Sequence, residues 1–268
     1  MTGRGGAGRR RAARWQPARR WLAGARPRTW AADYAWAARR LAGATAEDLR
    51  ARAAGRRGLP GAAGADLAPG EEAGRLAAGP RAPVLLLPGI YESWRFLSPL
   101  AEHLQAAGHE VHVVDALGLN RRDAAEGARR AGAYLAARDL RGVVLVAHSK
   151  GGLVGRALML SPDGARVRGL VAVATPWRGS PWAWLFPPFT ALGHLAPTAR
   201  DIRAAGRRRE VDARIVSLSP AWDPHVPGGS HLPGARNVDL AAAGHFLPLA
   251  DPVVLAEITT AVAELSGR

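Results

Sequence analysis

Runs of consecutive aliphatic residues alternate with amphipathic stretches from about residue 83 to the end of the chain. Unbroken aliphatic runs of about four to eight residues are typical of strands that are buried on both faces, as in a parallel sheet. The predicted strands are 84–87, 111–115, 143–146, 167–175, 213–218 and 237–240. Between them, apolar residues recur every three or four positions, which indicates helices. This alternation predicts an α/β fold with a doubly wound, mostly parallel sheet and right-handed crossovers.

The strand at 143–146 leads directly into the most informative stretch of the chain, Ala147–Gly152. A helical pattern follows, so the chain must turn sharply at Ser149 and pack back on the sheet. A serine on such a turn has a strained backbone and exposes its oxygen at the C-terminal edge of the sheet. Strand and helix approach closely there, and the residues two positions before and after the serine are small, Ala147 and Gly151. The alternative is a purely structural serine in a strand–helix turn.

This stretch, Ala-His-Ser-Lys-Gly-Gly, resembles the nucleophile elbow of the α/β-hydrolase superfamily, and specifically that of its lipase-like serine esterases. It departs from the usual Gly-x-Ser-x-Gly pattern at Ala147, which still fits a position for a small residue. The resemblance implies that Ser149 is a nucleophile. It also implies an oxyanion hole made by the backbone N–H groups of Lys150 and Ile90. Ile90 lies in the loop after the first strand, which begins with Pro-Gly where many members have His-Gly.

An aspartate and a histidine follow the serine in the chain order of this superfamily, Ser149, Asp223 and His245, each after a predicted strand. A serine hydroxyl is a weak nucleophile at neutral pH, so an imidazole must take its proton during attack. A buried carboxylate then orients the imidazole and stabilises its charged form. The resemblance therefore implies a catalytic triad of these three residues. Asp239, at the end of the last predicted strand, is the main alternative to Asp223.

Large apolar residues crowd a stretch after the fourth predicted strand. Residues 175–180 resemble the Thr-Pro-x-x-Gly-Ser turn common in lipase-like members, and residues 181–194 combine aromatic residues with three prolines. The resemblance places a lid insertion here, at about 176–210, and the apolar residues are expected to contact an acyl chain. The alternative is a small satellite core under a long loop. The expected substrate-binding residues are Tyr91, Trp177, Trp182, Trp184 and Phe186.

The chain before the sheet divides into two parts. Residues 1–27 are rich in arginine without a periodic apolar face, which predicts disorder. Residues 28–82 are predicted to form a helical extension and a linker, and residues 83–268 the hydrolase domain. Trp30, Tyr34, Ala37 and Leu41 recur on one helical face, which favours packing on the catalytic domain over an interfacial membrane helix. Thr45 and Asp48 suggest a capped second short helix.

Charge changes this picture only at the start of the chain. The net charge is +15, and residues 1–57 hold 15 arginines against three acidic residues. We therefore expect residues 1–57 to favour anionic membrane surfaces and to be dispensable for the chemistry. Nucleic acid is not an expected partner, since no recognised binding module accompanies the arginines. The absence of cysteine excludes disulfides, and the apolar run near the start is too short for a secretory signal, so a cytoplasmic protein, peripheral at the membrane, is expected.

The expected function is hydrolysis of carboxylic esters, lipase-like, by a monomer that needs no cofactor. An acyltransferase or a thioesterase would use the same residues. A catalytically inactive binding module of the same fold is the alternative of a different class. Asp223, His225 and His231 are candidates for a metal site, but their spacing matches no compact ligand motif, so no metal is expected.

Overall fold

The computed structural model describes residues 27–54 and 81–267. The strands are β1 Val84–Leu87, β2 Val111–Val113, β3 Val143–His148, β4 Val167–Val173, β5 Ile215–Ser219 and β6 Arg236–Asp239. The helices are α1 Pro27–Ala53, α2 Ser98–Ala106, α3 Ala124–Ala137, α4 Lys150–Met159, α5 Arg200–Ala205 and α6 Pro252–Ser266. All neighbouring strands pair in parallel, in the order β2-β1-β3-β4-β5-β6. The predicted fold class, a doubly wound parallel sheet preceded by an N-terminal helix, is confirmed.

Two hydrophobic cores lie on opposite sides of the sheet, because successive side chains of a strand point to opposite faces. One core joins the sheet to α2 and α6, and the other joins it to α3, α4 and α5. In β3, Val144 and Val146 belong to the first core, while Leu145 and Ala147 belong to the second. Burial on both faces explains the unbroken aliphatic runs in the sequence. Since all strands are parallel, their carboxyl ends meet at one edge, where the loops converge.

The N-terminal helix differs from its prediction in two respects. α1 is continuous, so the predicted second short helix is wrong: the hydroxyl of Thr45 donates to the carbonyl of Leu41 within the helix instead of capping a new one. The face that packs on the domain also carries a buried carboxylate that the prediction did not include. Trp30 and Tyr34 are half-exposed, but Trp30 lies against Trp222, and the hydroxyl of Tyr34 is hydrogen-bonded to His225. Asp33 is completely buried beside them, and its carboxylate accepts hydrogen bonds from backbone N–H groups of the domain.

The predicted disorder of residues 1–27 falls outside the described residues except at position 27, and so does most of the predicted linker. Contact of the arginine-rich start with anionic membranes therefore stays a prediction. Within residues 27–54 and 81–267, no helix combines the length and the apolar character needed to cross a membrane.

Candidate active site

Ser149 occupies the sharp turn between β3 and α4. Its backbone has φ 52° and ψ −123°, a conformation that residues with a side chain rarely adopt. The Ser149 N–H donates to the carbonyl of Val173 at 2.8 Å, and the hydroxyl of Thr175 donates to the Ser149 carbonyl at 2.9 Å. A Cβ at Gly151 would overlap the carbonyl oxygen of Leu87, so glycine is required for α4 to pack this close to β1. The turn is therefore held from both sides.

The three side chains of the predicted triad lie together, joined by hydrogen bonds. Nε2 of His245 is 3.0 Å from Oγ of Ser149, and Nδ1 of His245 is 2.8 Å from Oδ2 of Asp223. Oδ1 of Asp223 accepts the backbone N–H groups of His225 at 2.8 Å and of Val226 at 3.0 Å. With Nδ1–H donating to the carboxylate, Nε2 is left to accept the proton of the serine hydroxyl. The arrangement can perform nucleophilic catalysis with a general base.

Burial sets the protonation of this pair. It raises the pKa of Asp223 to about 6. Burial also lowers the pKa of His245 to about 3, and the positive charge of His148 adds to this effect. The imidazole of His245 is consequently neutral at neutral pH, the state in which it can act as a base. Because Asp223 and His245 share a hydrogen bond, a proton added to either group changes both of them. The pair takes up its first proton when the pH falls through about 6.

A buried ion pair lies directly behind the triad. Nδ1 of His148 is 2.9 Å from Oε1 of Glu92, and Nε2 of His148 is 3.0 Å from the backbone carbonyl of His245. Burial alone would lower the pKa of His148, but the carboxylate of Glu92 and the carbonyl of His245 outweigh it and raise that pKa. Glu92 also accepts the N–H of Gly89 at 2.7 Å. The pair therefore connects the loop after β1 to the backbone of His245.

Side-chain hydrogen bonds anchor the loop after β1, which contains the predicted oxyanion-hole residue Ile90. Nδ2 of Asn120 donates to the carbonyl of Pro88 at 2.7 Å, and Nζ of Lys150 donates to the carbonyl and to the side-chain oxygen of Asn120, each at 2.9 Å. Ile90 follows this anchored segment, and Lys150 is the first residue of α4, where N–H groups lack acceptors within the helix. Both predicted donors thus lie in segments that flank Ser149, and their role stays a prediction.

Several polar residues that the sequence did not assign to this site contact it. They include Asp33, Glu92, His148 and His225, whose ring stacks on that of His245 with the centroids 4.5 Å apart. No role was assigned to His148 from the sequence, and it is completely buried. The position of His148 in the sequence indicated that it lies at this site. It directly precedes Ser149 in β3, and its side chain must point to the face of the sheet opposite that of Ala147. No comparable signal marked Glu92 or Asp33, since each acts on residues far away in the sequence.

The two candidates for the triad acid, Asp223 and Asp239, lie in different surroundings. Oδ1 of Asp239 lies 2.8 Å from Nε2 of His231 in a partly exposed ion pair, whereas Asp223 contacts His245. Among the described residues, no group of three or more His, Cys, Asp or Glu residues is arranged to hold a metal ion. The geometry therefore favours Asp223 over Asp239 as the partner of His245.

The residues expected to bind substrate are distributed unevenly. Trp182, Trp184 and Phe186 are exposed in the segment after β4, and Trp182 Nε1 donates to the carbonyl of Pro224 at 2.8 Å. Pro224 is the neighbour of Asp223, so this contact brings the segment close to the triad loop. Tyr91 is also exposed.

Trp177 is placed differently from the expectation of a substrate contact. Only 6% of Trp177 is exposed, and its indole N–H donates to the hydroxyl of Ser217 in β5 at 2.8 Å. It belongs to the hydrophobic core on the side of α3, α4 and α5. Its place beside β5 leaves the indole buried among core residues, so we do not retain it among the candidate substrate contacts.

Comparison with known proteins agrees with the architecture. A family model described as alpha/beta hydrolase fold matches residues 82–222, a little more than half of the chain. The mature form of lipase BlEst2 from Bacillus licheniformis is 17% identical, with a TM-score of 0.52 over 69% of this chain and 91% of that chain. Lipase B from Aspergillus fumigatus is 15% identical, with a TM-score of 0.54 over 68% of this chain and 52% of that chain. No curated protein matches significantly.

At such low identity the two lipase structures support the fold alone. The family match spans the first five strands, the turn at Ser149 and the segment that follows β4. Together with the six-stranded parallel sheet, this match means that the chain belongs to the α/β-hydrolase fold family.

Proposed function

We propose that this protein is a serine hydrolase that cleaves carboxylic esters through an acyl-enzyme on Ser149. The observation that carries the proposal is the hydrogen-bonded chain from Ser149 through His245 to Asp223, on a strained turn at the carboxyl edge of the sheet. A structural serine would need neither a buried imidazole at hydrogen-bond distance nor a carboxylate behind it. Membership of the α/β-hydrolase fold family supports the proposal, and the two lipases show that this fold occurs in enzymes named for ester hydrolysis.

In the proposed reaction, Oγ of Ser149 attacks the ester carbonyl while Nε2 of His245 takes its proton. The carboxylate of Asp223 stabilises the imidazolium that forms, and the backbone N–H groups of Ile90 and Lys150 stabilise the oxyanion. His245 then returns the proton to the leaving alcohol. A water molecule, deprotonated by the same imidazole, releases the acid and restores Ser149.

A screen of p-nitrophenyl esters of increasing acyl length, combined with labelling by a fluorophosphonate probe, tests the proposal. Turnover and labelling of the wild type are expected. Release of the free acid distinguishes hydrolysis from transfer, because an acyltransferase would pass the acyl group to an added alcohol or amine instead. A parallel series of thioesters tests the thioesterase alternative. Absence of both turnover and labelling would favour an inactive binding module and contradict the proposal.

The pH dependence of the reaction follows from the protonation of the Asp223–His245 pair. We expect kcat/KM to be constant near neutral pH and to fall about tenfold per pH unit below about pH 6, where the pair takes up a proton. The added proton removes the base, whether it resides on the carboxyl or on the imidazole. Initial rates between pH 4.5 and pH 8, with circular dichroism to verify folding at each pH, test this expectation. A profile that is flat down to about pH 5 would contradict it.

Substrate preference is expected to depend on the exposed apolar segment after β4. Trp184 and Leu185 are 60% and 76% exposed, and an acyl chain that covers such side chains gains about 0.8 kcal/mol per buried methylene. We therefore propose a preference for medium or longer acyl chains over acetate. Trp184→Ala should lower kcat/KM for an eight-carbon ester several-fold and leave that for a two-carbon ester nearly unchanged.

Leu49→Ala provides the matched control for Trp184→Ala, because Leu49 is an exposed apolar residue near the end of α1. This variant should retain the wild-type ratio of rates for the two esters. Equal losses of Trp184→Ala on both esters would identify the segment as structural packing. A wild type that prefers acetate would contradict the lipase-like subclass without affecting the proposal of a serine hydrolase.

A further inference from the structure

The N-terminal helix supplies a buried carboxylate to the loop that carries His245. Asp33 is completely buried. Its Oδ2 accepts the N–H of His245 at 3.0 Å, and its Oδ1 accepts the N–H groups of Phe246 at 2.9 Å and of Leu247 at 2.8 Å. Three consecutive N–H groups bound to one carboxylate fix the orientation of three peptide planes, since hydrogen bonds to a charged acceptor are short and strong.

The residue before His245 is adapted to this contact. Gly244 has φ 115°, in the region that favours glycine. A Cβ built on Gly244 would overlap Oδ1 of Asp33, so a larger residue would displace the carboxylate. The close approach of α1 and the glycine of the loop therefore depend on each other, although about 210 residues separate them in the sequence.

The peptide of His245 is held from its other end as well. Its carbonyl oxygen lies 3.0 Å from Nε2 of His148, which is paired with Glu92. With Asp33 on the N–H and His148 on the carbonyl, the main chain at His245 is fixed on both sides. Only the side-chain torsions remain, and the hydrogen bond to Asp223 restricts them. Because small displacements of a catalytic group lower the reaction rate steeply, this restraint on the main chain of His245 is expected to increase the rate.

α1 is docked by contacts that are independent of Asp33. Arg95 Nε donates to Oδ1 of Asp48 at 2.7 Å, and Arg40 donates to the carbonyl of Phe96. The helix can therefore remain in place when Asp33 alone is changed. Asp48 provides a second carboxylate on the same helix, bound to the same domain but away from His245.

We propose that Asp33 is a positioning residue for catalysis, which holds the main chain of His245 so that its imidazole meets Ser149 in the productive geometry. The inference rests on the proposed serine-hydrolase function. It makes α1 a part of the catalytic unit and revises the expectation that residues 1–57 are dispensable for the chemistry. The residue acts through the backbone and through its charge, and it touches neither Ser149 nor substrate.

The charge has an effect that a neutral support would lack. A buried anion beside the backbone of His245 favours the imidazolium that forms when Ser149 loses its proton. Burial and the charge of His148 lower the pKa of His245, while the carboxylates of Glu92 and, to a smaller extent, Asp33 act to raise it. Removal of the charge of Asp33 should move the acid limb of the kcat/KM profile to lower pH, which a merely loosened structure would not do.

Asp33→Asn tests the proposal with the smallest change of shape. The amide oxygen of the asparagine can take the place of Oδ1 and accept the N–H groups of Phe246 and Leu247. Its NH₂ group then takes the place of Oδ2 and faces the N–H of His245. Two donors then oppose each other at that peptide. We expect kcat to fall roughly 10- to 100-fold, with KM changed less than about threefold and the acid limb shifted to lower pH. Asp48→Asn, the matched control, should retain at least about half of the wild-type rate.

Hydrogen exchange of the peptide that spans residues 244–249 gives a second measurement that needs no activity. Its amides should exchange at least about tenfold faster in Asp33→Asn than in Asp48→Asn and the wild type. A wild type without turnover or labelling would defeat the proposed function, and this comparison would still decide whether Asp33 holds the loop. Unchanged exchange and rate in Asp33→Asn, or equal losses in the two variants, would overturn the proposal. Asp33→Ala, examined in the same way, should show a larger effect in the same direction.

Discussion

Replacement of Ser149 by alanine should abolish ester hydrolysis, with a loss in kcat of about 10⁴- to 10⁶-fold. Oγ of Ser149 is the atom that forms the acyl-enzyme in the proposed reaction, and it lies 3.0 Å from the imidazole that activates it. The fold should not suffer, because alanine is no worse than serine at φ 52° and the backbone hydrogen bonds of the turn remain. Any residual rate above the uncatalysed reaction would come from binding and from the oxyanion hole.

The measurement for Ser149→Ala combines turnover of a p-nitrophenyl ester with labelling by a fluorophosphonate. Ser161→Ala is the matched control, since Ser161 lies just beyond the far end of α4 and its hydroxyl donates to the carbonyl of Leu158. The control should be labelled at the wild-type rate. Equal labelling of Ser149→Ala and the wild type would show that another residue is the nucleophile.

Local patterns were sufficient to predict the sheet and the turn at Ser149. The strands β1 and β3 consist almost entirely of aliphatic residues because both of their faces are buried. The turn was recognisable because close packing of α4 on β1 requires glycine at Gly151. The packing partner of Gly151 is Leu87, distant in the sequence, but the residue pattern that indicates the turn is short and local, so a single sequence reveals it.

The support of His245 was not predictable in the same way. Asp33 is a charged residue among the aromatic residues that marked the inward face of its helix, and its partners follow more than 200 residues later. Glu92 follows the first strand in a short irregular loop, and its contact with His148 depends on how the sheet brings β1 and β3 together. Periodicity identifies apolar faces, whereas a buried polar contact is decided by which N–H groups the fold leaves without acceptors.

The choice between two aspartates for the acid shows the same limit. Sequence order left both Asp223 and Asp239 available near His245, because either follows a strand at the carboxyl edge. The structure separates them: Asp223 is 2.8 Å from His245, and Asp239 is 2.8 Å from His231 at the surface. The different surroundings of the two carboxylates lead to opposite expectations for the same substitution.

Asp223→Asn should reduce kcat by roughly 10⁴-fold while leaving the fold intact. Oδ1 of Asp223 accepts two backbone N–H groups, so the oxygen of an asparagine would occupy that position and its NH₂ group would face Nδ1 of His245. Nδ1 must then accept, which places the imidazole proton on Nε2. In that tautomer His245 can no longer take the proton of Ser149.

Asp239→Asn should stay within about twofold of the wild-type rate, because its pair with His231 is partly exposed and such pairs contribute little. Steady-state kinetics on one ester, with thermal unfolding of both variants, make the comparison. The tautomer argument would fail if Asp239→Asn were the crippled variant and Asp223→Asn nearly normal. Loss of activity without loss of stability in Asp223→Asn alone would instead identify it as the group that orients the base, since its hydrogen bonds to the backbone would survive the change.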